Sequence, residues 1–261
     1  MEKAFQDEFF LAGIQLAELA SDISRKYFRK PVTIESKTHD HSPVSIADKQ
    51  IEEKLRAWIK ENYPAHGVIG EEYLSQNNKA KYTWVIDPID GTVAFLCGKP
   101  TFTTLIALLE NDTPQLGLID APMLGDRFIG VTEKGAWLNG KKLKTSDVKV
   151  LTNARLNATT PYMFKTPIEQ SKFGLLKDQV KLTSFGGDAY SYGLLASGHI
   201  DIIMEADLGF YDVAALIPVI TESGGVITDW NGNKITSDNF CGQCLATANI
   251  ELHEAVLKII A

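Results

Sequence analysis

Apolar residues near the start of the chain fall at Phe5, Phe9, Ala12, Leu16, Leu19 and Ile23. Steps of three and four predict an amphipathic helix over residues 4–28. A polar loop is expected over 31–43. Ser45 then reads as an N-cap with Asp48 three residues on, and Ile51, Leu55, Trp58 and Ile59 define a second amphipathic helix that ends at Tyr63-Pro64. The middle of the chain switches to short apolar runs at 82–86, 101–109, 115–120, 126–132 and 136–138, divided by Gly, Pro, Asn and Asp. These read as strands of a mainly antiparallel sheet, with Asn139-Gly140 as a hairpin turn. Beyond residue 150 the pattern alternates. Strands are expected at 154–159, 180–184, 200–205, 226–230 and 243–247, and helices at 168–176, 188–196, 213–222 and 251–260. Pro218 is awkward inside the third of those helices, which Gly224-Gly225 stops.

The pattern divides the chain into an α+β part over residues 1–149 and an α/β part over 150–261 packed beside it. With 261 residues, 44% of them hydrophobic and 23% charged, the chain can bury a substantial core. The net charge of −7 excludes a general attraction for nucleic acid or anionic membrane. An anionic substrate would therefore need a local device, such as a cation, to overcome the field. Glu2, Lys3, Asp7 and Glu8 interrupt the first apolar residues, so no leader is expected, and no run approaches the ~18 apolar residues of a membrane span. Three cysteines at uninformative spacing suit a reducing cytoplasm, and Cys241-Gly242-Gln243-Cys244 reads as a coincidence in or near a buried strand.

Chemistry concentrates at Asp87-Pro88-Ile89-Asp90-Gly91-Thr92, which follows the apolar run 83–86. Two carboxylates three residues apart can face one small volume and suit Mg²⁺, a hard cation that takes a few carboxylates plus substrate phosphate. Gly91-Thr92 would offer backbone N–H groups at the start of a helical turn. Taken alone the segment is as good a turn as a metal site, because Asp, Pro and Gly are all turn formers. Further acidic positions stand at element ends: Gly70-Glu71-Glu72 after the run 67–69, Asp48 in the capping box, and Asp212 at the opening of a helix. Each has an ordinary reading as a solvated turn or a cap. Together they exceed what capping needs.

Gly70-Glu71-Glu72, the run from Trp84 to Thr92, and Tyr211-Asp212-Val213-Ala214-Ala215 through Glu222-Ser223-Gly224-Gly225 resemble, in order and spacing, the signatures of the inositol monophosphatase superfamily. Lys37, Ser42-Pro43-Val44 and Ala47-Asp48 resemble its N-terminal motif. The resemblance implies the layered αβαβα sandwich of the inositol monophosphatase and fructose-1,6-bisphosphatase type, a homodimer, and Mg²⁺-dependent hydrolysis of a phosphate monoester. It implies one Mg²⁺ on Glu71, Asp87 and the Ile89 carbonyl, a second on Asp87, Asp90 and Asp212, and a third, weaker ion within reach of Glu71. It also implies a nucleophilic water oriented by Thr92 and Asp48, and a phosphate held by the Gly91 and Thr92 N–H groups.

Phe185-Gly186-Gly187-Asp188-Ala189-Tyr190, with Glu205-Ala206-Asp207-Leu208 farther on, looks more like the histidinol-phosphate phosphatases of the superfamily than its inositol-specific members. A carboxylate at Asp188, with Glu205 nearby and Asp207 as a lesser candidate, would pair with the ammonium of histidinol phosphate and reject neutral competitors. Asp188 could also cap the helix that follows it. His199 is expected to be structural or superficial. Val93-Ala94-Phe95, Cys97 and Lys99 depart from the family pattern, which leaves substrate contacts in that loop open. The competing readings are an inositol-phosphate or broad sugar-phosphate phosphatase, a phosphatase of 3′-phosphoadenosine compounds, for which the chain is short, and a regulatory protein that binds the transcription machinery.

Overall fold

The computed structural model describes residues 2–31, 34–36, 43–77 and 80–261. Lys37 and Ser42, the start of the N-terminal motif, lie outside the described residues. Helices α1 (Glu2–Tyr27) and α2 (Ile46–Asn62) form the first layer. Phe9, Leu16 and Ala20 of α1, with Ile51, Leu55 and Ile59 of α2, are buried against one face of a sheet, as their helical spacing requires. Ser45 and Asp48 close the expected capping box: the Ser45 N–H donates to Asp48 Oδ2 at 2.9 Å, and the Ala47 N–H donates to Ser45 Oγ at 3.1 Å. The loop expected over 31–43 is shorter than that, because β1 (Ile34–Ser36) pairs with β2 (Pro43–Ser45). Three-residue strands leave too little alternation to be read from sequence.

The sheet under α1 and α2 has seven strands in chain order: β3 (Gly67–Gly70), β4 (Tyr82–Asp90), β5 (Thr103–Glu110), β6 (Thr113–Ala121), β7 (Asp126–Val131), β8 (Gly135–Leu138) and β9 (Lys141–Lys142). Only the β3–β4 pair is parallel. Asn139 and Gly140, both at positive φ (49° and 81°), make the two-residue turn from β8 to β9. The central strands are apolar on both faces: Trp84, Ile86, Ile106 and Leu118 meet the first helices, while Val85, Leu105, Ala107 and Ile119 point into a second core. That double burial explains why their sequences read as apolar runs instead of an alternation.

The second core is filled by α5 (Tyr190–Ala196) and α7 (Leu216–Glu222). A Cβ on Gly117 would lie 2.0 Å from the Ala215 carbonyl oxygen, and one on Gly130 2.4 Å from Pro218 backbone atoms, so α7 rests directly on the β6–β7 backbone. Beyond lies a five-stranded sheet in the order β11 (Leu182–Phe185), β10 (Arg155–Ala158), β12 (Ile202–Glu205), β14 (Cys244–Thr247), β13 (Val226–Thr228), parallel across β11, β10 and β12 and antiparallel beyond. Helices α4 (Pro167–Lys177) and α8 (Ile250–Ile260) cover its far face through Phe173, Leu176, Leu252 and Val256. The five layers are therefore αβαβα. The helix expected over 213–222 is two, α6 (Phe210–Val213) and α7, which resolves the Pro218 problem. Pro218 is the third residue of α7, in the first turn, where no intrahelical N–H is required. Cys244 is buried in β14 and Cys241 is exposed, both as free thiols.

Candidate metal centre and substrate pocket

The strand expected to end at Ile86 continues as β4 to Asp90. Residues three apart on a regular strand point to opposite faces, so Asp87 and Asp90 could not meet on an undistorted β4. The pairing with β5 shifts register between them, at Pro88-Ile89. Proline has no N–H to give the ladder, and its carbonyl is taken by Thr104 Oγ1 at 2.8 Å. The bulge turns both carboxylates to one side, and α3 (Thr92–Leu96) leaves it through Gly91 at φ 79°, a left-handed conformation suited to glycine.

Carboxylate oxygens of Asp87, Asp90 and Asp212 lie within 4.8 Å of one another. Asp212 stands at the opening of its helix, as expected: it is the third residue of α6 and reaches back to accept the Gly209 N–H at 2.7 Å. Glu71 joins the group through Asp87, to which it hydrogen-bonds. The turn carrying Glu71 hangs on Glu52 of α2, whose buried carboxylate accepts the Glu72 N–H at 2.8 Å, the Tyr73 N–H at 3.3 Å and Arg56 Nε at 2.7 Å. A Cβ on Gly70 would sit 2.0 Å from Glu52 Oε1, so only glycine permits this approach. Sequence reading missed Glu52; its signal was a charged residue beside Ile51, at the edge of the buried stripe of α2.

Burial, then the neighbouring charges of Glu71, Asp212 and Asp90, push the Asp87 carboxyl well above the ordinary range. Burial and the charges of Asp188 and Asp212 do the same to Asp90, against the pull of the Ala189 N–H at 2.7 Å. Asp87 Oδ1 is buried without a hydrogen-bond partner. Three converging carboxylates, one with an orphaned oxygen, fit a hard divalent cation as the missing partner. Thr92 Oγ1 lies 3.1 Å from the Ile89 carbonyl oxygen and 3.4 Å from Asp48 Oδ1. Asp48 is itself raised to about 6, chiefly by burial. It thus serves the capping box and Thr92 at once.

A cavity of about 120 Å³ opens over the cluster and is lined by Glu71, Asp87, Ile89, Asp90, Gly91, Thr92, Asp188, Glu205 and Asp212. Asp188 is not a helix cap: Ala189 holds the N-cap position of α5, and Asp188 lies before it at φ 45° with its carboxylate against Gly91. Burial raises its carboxyl, and Lys99 opposes that rise. Glu205 is buried at the end of β12, where it accepts the Thr159 N–H at 2.7 Å and the Tyr192 hydroxyl at 3.0 Å. Sequence reading missed Thr159 and Tyr192, since nothing local links them to residue 205. Asp207 does not line the cavity; it is half exposed and pairs with Lys165. His199 is exposed, and so are Val93 and Cys97.

A five-layer sandwich with clustered carboxylates at a bulged strand end defines the class of metal-dependent phosphatases. The chain belongs to the inositol monophosphatase family, whose model matches residues 6–261. It is 44% identical over 230 residues to bifunctional phosphatase IMPL2, chloroplastic, of Arabidopsis thaliana, covering 87% of this chain and 66% of that longer protein. It is 33% identical over 257 residues to the histidinol-phosphatase of Mycobacterium tuberculosis, covering 96% of each. Among solved structures, an inositol monophosphatase from Zymomonas mobilis superposes with a TM-score of 0.88 at 38% identity, covering 98% of both chains. Among the described residues no helix is long and apolar enough to cross a membrane.

Proposed function

We propose that this chain is a Mg²⁺-dependent phosphomonoesterase that hydrolyses histidinol phosphate to histidinol and phosphate. The observation that carries the substrate choice is the placement of Asp188 and Glu205 on the same cavity as the acidic cluster. A phosphate ester needs the cluster; two further carboxylates can accept from the hydroxyls of a neutral alcohol, but only a cation offsets their charge. They suit an ammonium held beside the phosphate. The likeness to the histidinol-phosphatase of M. tuberculosis supports the same reading.

Glu71, Asp87, Asp90, Asp212 and the Ile89 carbonyl would hold two or three Mg²⁺ ions. Ions held there would supply a lowered water pKa and charge stabilisation for the phosphate and the leaving oxygen. The chain's own groups do the rest. Thr92 Oγ1, backed by Asp48, orients the attacking water and passes its proton toward the Asp48 carboxylate. Gly91 and Thr92 N–H groups hold phosphate oxygens as charge builds on them. Asp188 and Glu205 fix the substrate's organic part, which converts binding into alignment for in-line attack. Exposed apolar residues on α4 (Ile168 and Leu175) and at edge strand β11 (Leu182 and Phe185) are in keeping with a homodimer.

Inositol phosphate is the second reading, favoured by the 38% identity to the Z. mobilis inositol monophosphatase. Phosphate release from histidinol phosphate and from inositol 1-phosphate, with Mg²⁺ and with EDTA, separates the two. Histidinol phosphate should turn over faster, and Asp188→Ala should raise its KM about tenfold or more while changing that of a neutral ester little. Preference for inositol phosphate would sink the histidinol assignment. Turnover of neither with Mg²⁺ would favour the regulatory reading.

A further inference from the structure

A second cavity, of about 650 Å³, shares no lining residue with the one over the acidic cluster. It lies beside α1, over the part of the seven-stranded sheet formed by β6, β7 and β8. Its walls are apolar, from Phe10 and Ile14 of α1, Ile129 and Val131 of β7, and Trp137 of β8. Its volume is that of a small-molecule site, several times the roughly 120 Å³ over the acidic cluster.

Charge is built into it. Asp120, whose side chain is only 5% exposed, accepts Arg127 Nε at 2.7 Å through one oxygen and the Ser21 hydroxyl through the other. That buried carboxylate fixes the guanidinium, and it does so through Nε, away from the outer fork. The nearest other carboxylate, Glu18, stands 3.9 Å from Arg127 Nη1, too far for a hydrogen bond. Arg25 is fixed in a similar way by the Pro122 carbonyl, which accepts its Nε at 3.2 Å and Nη2 at 3.0 Å. Lys134, on the turn after β7, adds a third cation. On a chain of net charge −7, the described residues lining this cavity include three cations against one carboxylate, so two positive charges remain once Arg127 has paired with Asp120.

We propose that this groove binds an oxyanion carried on a flat apolar body, with the anion on the Arg127 fork between Arg25 and Lys134 and the body against Trp137. A guanidinium pre-aligned by a buried carboxylate loses little freedom when it grips two anion oxygens. The apolar wall then supplies burial that a bare inorganic anion could not use. The site is independent of the acidic cluster, since α7 and the second core lie on the opposite face of the same strands.

The test titrates the Mg²⁺-loaded protein with 8-anilinonaphthalene-1-sulfonate and with its uncharged counterpart N-phenyl-1-naphthylamine, following energy transfer from tryptophan. One saturable site per chain is expected, tighter for the sulfonate, with the transfer largely lost in Trp137→Phe. Arg127→Lys keeps a cation on Asp120 but removes the fork. It should weaken the sulfonate about tenfold or more, leaving the uncharged probe within about twofold and ester hydrolysis unchanged. Lys134→Glu, at an exposed position, should weaken the sulfonate about threefold or more. Absence of a saturable sulfonate site overturns the proposal. So does a sulfonate affinity untouched by Lys134→Glu, which decides the matter even if Arg127→Lys fails to fold, or equal losses for both probes.

Discussion

Two buried carboxylates, Asp201 and Asp87, have opposite surroundings. Asp201, between α5 and β12, accepts Arg155 Nε at 2.7 Å, Arg155 Nη2 and the Arg155 N–H each at 2.8 Å, and the Ser146 hydroxyl. Burial alone would push its carboxyl up, yet these bonds bring it below the ordinary range. Asp87 is equally deep but is surrounded by other acids, and one of its oxygens has no partner. A carboxylate kept for structure is supplied with its own cation by the fold. One placed among other acids is left incomplete, and its like-charge repulsion is relieved by a bound proton or would be by a cation.

The comparison breaks most sharply by removing each charge. Asp87→Asn should lower kcat about 10³-fold or more, as metal charge stabilisation is worth several kcal/mol. Its metal-free thermal midpoint should rise, because one repelling charge is gone, and the rise with Mg²⁺ expected of the native protein should be lost. Asp201→Asn should do the reverse: a loss of about 3 kcal/mol in urea unfolding, from stranding Arg155, with kcat per folded molecule unchanged. Equal stability losses in the two variants would erase the distinction.

Glu52 sharpens the comparison from an intermediate position, since it is structurally satisfied yet holds the turn bearing Glu71. Glu52→Gln should reduce kcat about tenfold and weaken the Mg²⁺ dependence of activity, while leaving KM at saturating metal nearly unchanged. A pure stability loss, with normal kinetics in the folded fraction, would reduce Glu52 to a packing role.

The smallest expected effect concerns a buried group that has neither a cation nor a ligand to gain. His253 is pushed down to about 4 by burial, with its ring nitrogens on the hydroxyls of Thr228 at 2.9 Å and Thr247 at 3.1 Å. Between the ordinary value of 6.5 and about 4, the unfolded chain binds a proton that the folded chain does not. Stability is therefore full above that window and falls as pH drops through it. Urea midpoints at pH 7 and pH 4.5 should differ less in His253→Gln than in the native protein. An unchanged difference would assign the acid sensitivity to other groups.

Much of this was legible along the chain. Helical spacing located α1, α2, α4 and α8, and the capping box at Ser45 and Asp48 closed as its residues require. Apolar runs located the strands of both sheets, although β4 ran four residues past its apolar run because the acidic segment itself pairs with β5. The candidate residues at 71, 87, 89, 90, 92, 188, 205 and 212 do line one cavity. The partners of those residues could not be read this way. Glu52 under Glu71, Thr159 and Tyr192 on Glu205, and Ala189 on Asp90 are separated by up to 99 positions and joined only by packing.

Taken by itself, the sequence singled out the candidate residues for the chemistry and the segments that become helices or strands, because both are local: residue type, capping and the period of burial. Only the tertiary structure decided that Asp87 and Asp90 share a side, since that depends on a bulge against β5. It likewise decided that Asp188 faces Gly91 instead of capping α5, and that Arg127 is aimed by Asp120 into a second cavity. In each case the outcome turns on a neighbour distant in the chain, whose approach is set by how the layers pack.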